Sequence, residues 1–400
     1  MRPGSRAALG AVASLAASLL IAVGPVAAQA PATTPTGPPP WVSAGARVTH
    51  TFSVASVANG GYELVEDRDG PLTDPATGTR YREVFTAGSG GAGGSGEGLA
   101  EATVVAVEGD DVVLQRIDYG SDLLNGGFAS ATSRSERVPG AMVSGLWMHP
   151  EALATYQPGA ASAVRVLRGP TTVAGVTSDS VALVDPTPGN YASFTYDAAT
   201  GVLLTAALRI SGGPGSSTQL STTELRGVRQ LAVPGIGSAA PDWVARRVPL
   251  SYAGTLEFVN PMDPSSPAQT NTATTTTSFV DTGSTWARYE TALTLDLGGV
   301  PSTSTGTGAV GGVGPYWWDP AALSTFSTGQ VLDTDPYTGL TLAVLETGPG
   351  PAGPAVGIVG RMPGIDIEVY YDIATGVMIA QGTANASSGL ATRLQLLRMP

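Results

Sequence analysis

The chain has 400 residues, with 32 acidic and 20 basic side chains, a net charge of −12 and no cysteine. This acidity argues against a nucleic-acid partner, because neutralising phosphates requires basic patches, and against adhesion to anionic lipid surfaces. Without cysteine the fold has no disulfides, so its stability must come from a buried core, for which the chain is long enough.

The N-terminus has the three parts of an export signal. Arg2 and Arg6 precede an apolar stretch over residues 7–23, and Val-Ala-Ala at 26–28 supplies the small residues of a cleavage site. The apolar stretch is too short to favour a membrane span. We therefore expect a signal peptide over 1–28, an extracytoplasmic location (secreted, periplasmic or cell surface) and no membrane span in the mature chain. The alternative is an uncleaved anchor.

The rest of the chain contains an internal repeat. The segment 145–159 reappears at 314–329 with Trp, Pro, Ala, Leu, Thr and Gly at matching positions, and Tyr-Asp-x-x-Thr-Gly-Val occurs at both 196–202 and 371–377. Two motif pairs in the same order indicate two homologous domains in tandem. The predicted organisation is a signal peptide (1–28), a Pro/Thr-rich linker (29–40), a first β-rich domain (41–231), a linker (232–242) and a second β-rich domain (243–400).

Strand periodicity dominates both predicted domains. Val248 to Phe258 alternates apolar and small or polar residues, and Val48 to Val54 does the same in the first copy. Short apolar runs then recur at intervals of about 8 to 12 residues, which is typical of antiparallel meanders. We predict an all-β fold with minor α content. Each domain is expected to be a curled antiparallel sheet, either a sandwich or a half-barrel.

One short helix is predicted in each copy, together with one flexible loop. Asp319 and His149 each precede a proline and helix-forming residues, which is the pattern of a capped first turn. Gly159 and Gly329 are expected to end these helices after about two turns. The Gly/Ser-rich stretch 88–98 and the Gly/Ser/Thr-rich stretch 302–314 are predicted to be surface loops.

Catalytic and metal-binding patterns are weak. The two histidines, His50 and His149, fall in different contexts, and neither has the clustered ligands that zinc requires. We interpret His50 as a core or sheet-face residue and His149 as a helix cap. The acidic stretch 66–74 is interpreted as a solvated turn, with calcium binding as the alternative. We expect no catalytic residue, metal or cofactor.

The aromatic residues beside the two helices are the candidate ligand-binding residues, because tryptophan offers a large contact area and is favoured at binding surfaces. The alternative places the repeated tryptophans in each domain's core. Trp318 has Met148 as its counterpart, so we expect it to be the more exposed. The candidates are Trp147, Tyr316, Trp317 and Trp318.

Three functions remain open at this point. The favoured hypothesis is an exported non-enzymatic protein that binds a hydrophobic small molecule or a cell-envelope component. The alternatives are a structural or adhesive surface protein with spacer domains, and a hydrolase with an unrecognised site. A continuous pocket would favour the first hypothesis over the second. A buried carboxylate pair or a His–Ser contact would support the third.

Overall fold

The structure is a computed structural model, and the described chain forms two large antiparallel sheets, one in each half. The signal-peptide prediction over 1–28 and most of the predicted linker over 29–40 lie outside the described residues. These are 35–57, 61–86, 93–122, 127–157, 163–187, 189–211, 218–260, 267–295, 302–310, 316–350, 353–386 and 389–400.

The first half contains a sheet of twelve strands in the order β2-β4-β3-β10-β11-β12-β13-β14-β1-β5-β6-β7, and β8 and β9 form a separate small pair. Its strands are β1 (Ala46–Val57), β2 (Gly61–Glu66), β3 (Leu72–Thr73), β4 (Arg80–Thr86), β5 (Gly93–Glu108), β6 (Asp111–Asp122), β7 (Gly127–Pro139), β8 (Met142–Val143), β9 (Trp147–Met148), β10 (Arg165–Val173), β11 (Val176–Asp185), β12 (Ala192–Asp197), β13 (Leu203–Ile210) and β14 (Thr218–Gln230).

The second half contains a sheet of ten strands in the order β18-β17-β16-β15-β24-β23-β22-β21-β20-β19. Its strands are β15 (Leu250–Phe258), β16 (Gln269–Thr282), β17 (Ala287–Leu295), β18 (Ser302–Gly308), β19 (Val331–Thr334), β20 (Thr341–Pro349), β21 (Pro354–Met362), β22 (Ile365–Asp372), β23 (Met378–Asn385) and β24 (Leu390–Leu396).

The two sheets share one strand order, which confirms the predicted all-β fold with similar halves. When the first order is read from β7 to β10, it matches the second from β18 to β20 strand for strand, with β1 in the place of β15 and β14 in the place of β24. The first half differs by the β2/β4 pair, which extends its sheet beyond β3. This added pair forms one wall of the site described below.

Matching side chains occupy matching places in the two halves. Trp147 forms an isolated bridge to Val202, and Trp317 forms the same bridge to Val377. The pair Trp41–Trp147 packs edge to face with ring centroids 5.4 Å apart, as does Trp243–Trp317 at 6.3 Å. The two repeated sequence motifs therefore meet in space in each half.

The repeated Asp-x-x-Thr-Gly turn explains why its residues recur. The Asp197 carboxylate accepts hydrogen bonds from the Thr200 backbone and hydroxyl, and Asp372 does the same for Thr375. The following glycine has a φ of +75° at Gly201, a left-handed conformation that costs other residues energy. A side chain there would also collide with the backbone carbonyl of Met148.

His50 lies on β1 with its side chain in the core, as predicted, and Tyr252 is its counterpart. His50 Nε2 lies 3.0 Å from the Leu203 carbonyl oxygen, and the Tyr252 hydroxyl donates to the Met378 carbonyl over 3.1 Å. Burial lowers the pKa of His50 to about 4, so the ring is neutral at pH 7. In each half, a polar side chain thus forms a hydrogen bond to the equivalent strand, β13 or β23.

Three short helices accompany the sheets: α1 (Pro150–Thr155), α2 (Asp242–Ala245) and α3 (Pro320–Leu323). The predicted caps are confirmed, since His149 Nδ1 accepts from the Glu151 N–H and Asp319 Oδ1 accepts from the Ala321 N–H. Helix α3 is shorter than predicted, because the helical turn ends well before Gly329. Helix α2 was not predicted.

Two stretches that we predicted to be loops belong to strands. Gly93–Gly98 begins β5, and Ser302–Gly308 forms β18 beside β17. Residues 88–92 of the first stretch and 311–314 of the second lie outside the described residues. These segments lack an apolar alternation, so their pairing cannot be seen in the sequence. At Gly98 the absent side chain is required, because a Cβ would collide with the Tyr119 carbonyl oxygen.

The first sheet is covered on both faces. Its core face carries His50 and is covered by α1 and the segment around Trp147. The opposite face, which we call the groove face, carries Thr51 and Ser53. The β2/β4 pair covers one part of it, through Tyr81 and Leu64, and the second half covers another, where Met362 packs on Ile117 and Tyr119. Between these two covers, the described residues leave a strip open.

Candidate ligand-binding groove

The open strip of the groove face is the floor of a groove of about 1110 Å³. Four neighbouring strands, β5, β1, β14 and β13, form this floor. Cross-strand pairing sets Leu99, Thr51, Glu224 and Thr205 in one row across the strands. The adjacent row is Glu97, Ser53, Thr222 and Ala207. Small side chains predominate on the floor, and this leaves the space above it open.

The floor is polar at its centre. Ser53 Oγ and Thr222 Oγ1 are 2.7 Å apart, and Thr51 Oγ1 donates to the Glu224 carbonyl oxygen over 3.3 Å. These hydroxyls are half-buried and keep acceptor lone pairs, since a hydroxyl can donate one bond and accept two. The floor can therefore accept hydrogen bonds from a ligand.

One wall of the groove comes from the β2/β4 pair. Tyr62 and Glu83 both line the groove from this side. Tyr62 is held between Phe85 and Tyr191, with ring centroids 5.1 and 6.1 Å away, and the Tyr191 hydroxyl donates to the Glu83 carboxylate. This wall therefore combines an aromatic surface with a negative charge.

The opposite wall comes from the second half of the chain. It consists of the turn Pro336–Gly339 together with Pro363. The Tyr337 ring lies against β14 at Gly227, where a Cβ would collide with the Tyr337 hydroxyl oxygen. The absence of a side chain at Gly227 thus brings this wall against the floor. The groove is formed jointly by both halves.

A buried cluster of five charged residues holds the second wall in place. Asp335, which begins the wall's turn, is 0% exposed and accepts hydrogen bonds from Arg229 and Arg47. Arg229 also makes a two-bond contact with Asp333, at 2.7 and 2.8 Å. Glu101 completes the cluster, 3.6 Å from Arg47. We call these residues the interdomain ion cluster.

The two carboxyl groups at the centre of this cluster differ in their protonation. Burial raises the pKa of Glu101 to about 7, because the attraction of Arg47 is weaker than the loss of hydration and Asp335 adds repulsion. Burial alone would raise the pKa of Asp335, but hydrogen bonds from the Tyr337 and Thr338 N–H groups and the charge of Arg229 lower it below its usual value. Asp335 is therefore the charged member.

A carboxylate pair of this kind was the stated sign of a hydrolase, but its position differs from that of an active site. The side chains of Glu101 and Asp335 are 1% and 0% exposed, so neither reaches the groove surface. Both are bound to arginine. The arrangement joins the two halves.

The four predicted ligand-binding residues lie in the cores. Trp147 and Trp317 are 0% exposed, and Tyr316 and Trp318 are buried. Trp318, which the sequence left freer to be exposed, is also buried, because its ring packs edge to face against Phe326 and Tyr371. None of the four lines the groove or the smaller cavity described next. Their role in ligand binding stays a prediction.

A smaller cavity of about 40 Å³ lies on the core face beside His50. Arg116, Asp118 and Arg134 line it, and Arg116 Nε lies 2.5 Å from Glu136 Oε1. This space suits one or two water molecules rather than an organic ligand. In the part of the chain that the structure describes, no group of three His, Cys, Asp or Glu side chains is arranged to hold a metal ion.

The predicted acidic turn at 66–74 is a pair of tight turns. Asp67 Oδ1 accepts from the Asp69 N–H, and its Oδ2 lies 2.6 Å from Arg82 Nε. Asp74 Oδ1 accepts from the Ala76 N–H. These carboxylates bond to the backbone and to arginine.

The groove was not predicted from the sequence, although the sequence contains one signal of it. The turn that carries Asp335 reads Asp-Pro-Tyr-Thr-Gly, a third occurrence of the Asp-x-x-Thr-Gly motif, and Asp74 begins a fourth. Arg229 and Arg47 fall on the strands β14 and β1, which pair with each other at these positions. Only the register shows that they converge on Asp335.

No protein-family model matches the chain, and no curated protein matches it significantly. None of the described helices has the length and apolar character needed to cross a membrane.

Proposed function

We propose that this is an exported, non-enzymatic binding protein that holds its ligand in the groove between the first sheet and the second half. The observation that carries the proposal is the groove itself. Its volume of about 1110 Å³ is slightly larger than the roughly 300–1,000 Å³ typical of small-molecule sites. Hydroxyls on the floor and apolar surfaces such as Tyr62 and Leu99 face the same space. Such a lining suits a ligand with both polar and apolar parts.

The interdomain ion cluster supports a binding role because it fixes the geometry of the groove. The Asp335 carboxylate attaches the start of the wall's turn to Arg47 and Arg229, which lie on two strands of the floor. A wall that is already in place does not have to be ordered when a ligand binds, which lowers the cost of binding. A pure spacer would not require a shaped open strip between its two halves.

Filling the groove tests this proposal. Ser53 lies at the centre of the floor, so Ser53→Trp should place an indole ring in the ligand space. We expect compounds from a mixed library of neutral, anionic and cationic fragments to bind the wild-type protein, as measured by ligand-observed NMR. Ser53→Trp should abolish most of that binding while the circular dichroism spectrum stays unchanged.

The matched control is Thr276→Trp, which makes a similar change on an exposed position of β16 in the second sheet. This variant should retain all fragment binding. If no fragment binds the wild-type protein, or if both variants bind fragments equally well, the groove is not a ligand site and the spacer hypothesis is favoured.

Export is the second part of the proposal, and it rests on the charged, apolar and small-residue parts of the N-terminal segment. Sequencing of the mature protein from a culture's extracytoplasmic fraction should give an N-terminus at Gln29. Recovery of the protein solely in the cytosol, with Met1 retained, would contradict export.

A further inference from the structure

We propose that the groove takes a linear polyamine, a flexible chain with several alkylammonium groups. This inference rests on the proposed function, because it names the class of ligand for the same groove. Three properties of the charged side chains that line the groove support it: their predominantly negative charge, their positions on the strands, and the absence of ion pairs to Glu97 and Glu224 among the described residues.

The lining has an excess of negative charge. Glu83, Glu97 and Glu224 face the groove, and Arg226 is the basic residue among its lining side chains. The chain as a whole is also acidic, with a net charge of −12. An anionic ligand would be repelled by the net charge of the protein at long range and by the glutamates of the groove at short range. A cation would be attracted at both distances.

The two floor carboxylates are available to a ligand. Glu97 and Glu224 are exposed, and neither carboxylate has an ion pair or side-chain hydrogen bond among the described residues. Other glutamates of the same sheet are engaged differently, since Glu108 and Glu136 lie 3.3 and 2.5 Å from arginine nitrogens. Glu97 and Glu224 instead line the groove.

The register of the strands fixes the distance between the Cα atoms of Glu97 and Glu224. Glu97 pairs with Ser53 on β1, and Glu224 pairs with Thr51, two residues away on the same strand. Two strand spacings of about 4.8 Å and an offset of about 6.8 Å along the strand place their Cα atoms about 12 Å apart. An extended triamine has its terminal ammonium groups at a comparable separation, so one chain can reach both.

The surfaces between the carboxylates also suit an alkylammonium chain. The ammonium group donates hydrogen bonds and cannot accept them, and Thr51, Ser53 and Thr222 present oxygen acceptors along the floor. Methylene groups can pack on Leu99. Tyr62 offers an aromatic face on the wall, where a cation is attracted to the ring. A neutral apolar ligand would instead remove the carboxylates from water without compensation.

Isothermal titration calorimetry with spermidine tests the inference. Spermidine should bind the wild-type protein at one site, whereas 1,8-octanediol and citrate should not bind. Glu97→Gln and Glu224→Gln should each weaken spermidine binding about two- to fivefold, and the double variant about tenfold, because each removes one partly exposed charge pair. Raising the salt concentration from about 0.05 to about 0.5 M should also weaken binding several-fold.

Glu290→Gln is the control, since it removes the same charge from an exposed position on β17 outside the groove. Its affinity should equal that of the wild type. Equal weakening by Glu290→Gln and the groove variants would show non-specific attraction to an acidic surface and would overturn the inference. Tighter binding of the peptide acetyl-Lys-Ala-Lys-Ala-Lys-amide than of spermidine would replace the polyamine by a lysine-rich peptide.

The fragment screen separates this inference from the proposed function. Neutral fragments could bind the wild-type protein but not Ser53→Trp, while spermidine binds neither. The polyamine inference then fails and the groove remains a ligand site. If neither spermidine nor any fragment binds, both proposals fail.

Discussion

Asp335→Ala is expected to lower the free energy of unfolding by about 3 kcal/mol, because it leaves the buried Arg47 with only its 3.6 Å contact to Glu101 and removes one of the two carboxylates that bind the half-buried Arg229. Asp335 is 0% exposed and lies 2.7 Å from Arg229 Nη2. Removing one member of a buried ion pair is far more costly than removing a surface charge, since the remaining charge is still cut off from water. Urea denaturation at pH 7.5 measures this loss.

Asp372→Ala is the matched control for this prediction. Asp372 is also buried and accepts the same kind of bonds in its turn, from the Thr375 N–H and hydroxyl, but no arginine pairs with it among the described residues. Its replacement removes hydrogen bonds alone and should cost about 1–3 kcal/mol. Equal losses for the two variants would mean that Asp335 acts only as a turn residue and that the ion cluster adds no stability.

The wall of the groove depends on the same residue, so Asp335→Ala should also change ligand binding. The turn Pro336–Gly339 is attached to the floor strands through Asp335 and through the contact of Tyr337 with Gly227. Without the Asp335 carboxylate, the Tyr337 contact and the Arg229–Asp333 pair are the attachments that remain. Fragment binding should therefore weaken in Asp335→Ala even under conditions where the variant is fully folded.

The strands could be predicted from the sequence where one face of a strand is apolar. Val48 to Val54 alternates because one parity packs in the core, and it lies within β1. In the run from Val248 to Phe258 the strand begins at Leu250, and Leu250 and Tyr252 are the buried members of its apolar parity. The Asp-x-x-Thr-Gly turns are likewise determined locally, because their residues bond within a few positions of one another. Local chemistry was enough in both cases.

The strand Ser302–Gly308 could not be predicted in the same way. Its Gly, Ser and Thr residues have no apolar parity, and it forms because β17 offers a free edge. Gly306 lets the strand approach the Tyr289 ring closely. The partner of such a strand determines its conformation, and that partner is known only after the fold is known.

The groove was beyond the sequence for a related reason. Alternation places Thr51 and Ser53 on the polar side of β1, but a polar side can face solvent, another domain or a ligand. Glu224 joins this row through pairing across more than 170 positions of the chain. The aromatic residues were chosen as ligand-binding candidates for their size, and large apolar surfaces are also what a core requires.

Glu101→Gln is expected to stabilise the protein at pH 8 by roughly 3 kcal/mol relative to the wild type and to have little effect near pH 4.5. The pKa of Glu101 rises from 4.5 in a freely hydrated chain to about 7 in the fold. Between these values the folded protein keeps a proton that the unfolded chain has lost. The wild type therefore loses stability as the pH rises through this range, at about 1.36 kcal/mol per unit of pKa shift.

His50 acts in the opposite direction, so the comparison must be made between variant and wild type at each pH. Burial lowers the pKa of His50 from 6.5 to about 4, and its contribution to stability is complete above pH 6.5 and is lost as the pH falls toward 4. This contribution is common to both proteins and cancels in their difference. The difference in free energy of unfolding should grow from about zero at pH 4.5 to its full value by pH 8, as measured by urea denaturation. Because glutamine resembles the protonated acid in shape and charge, a difference that is constant with pH, or that favours the wild type at pH 8, would show that folding does not raise the pKa of Glu101 and that Arg47 stabilises its ionised form.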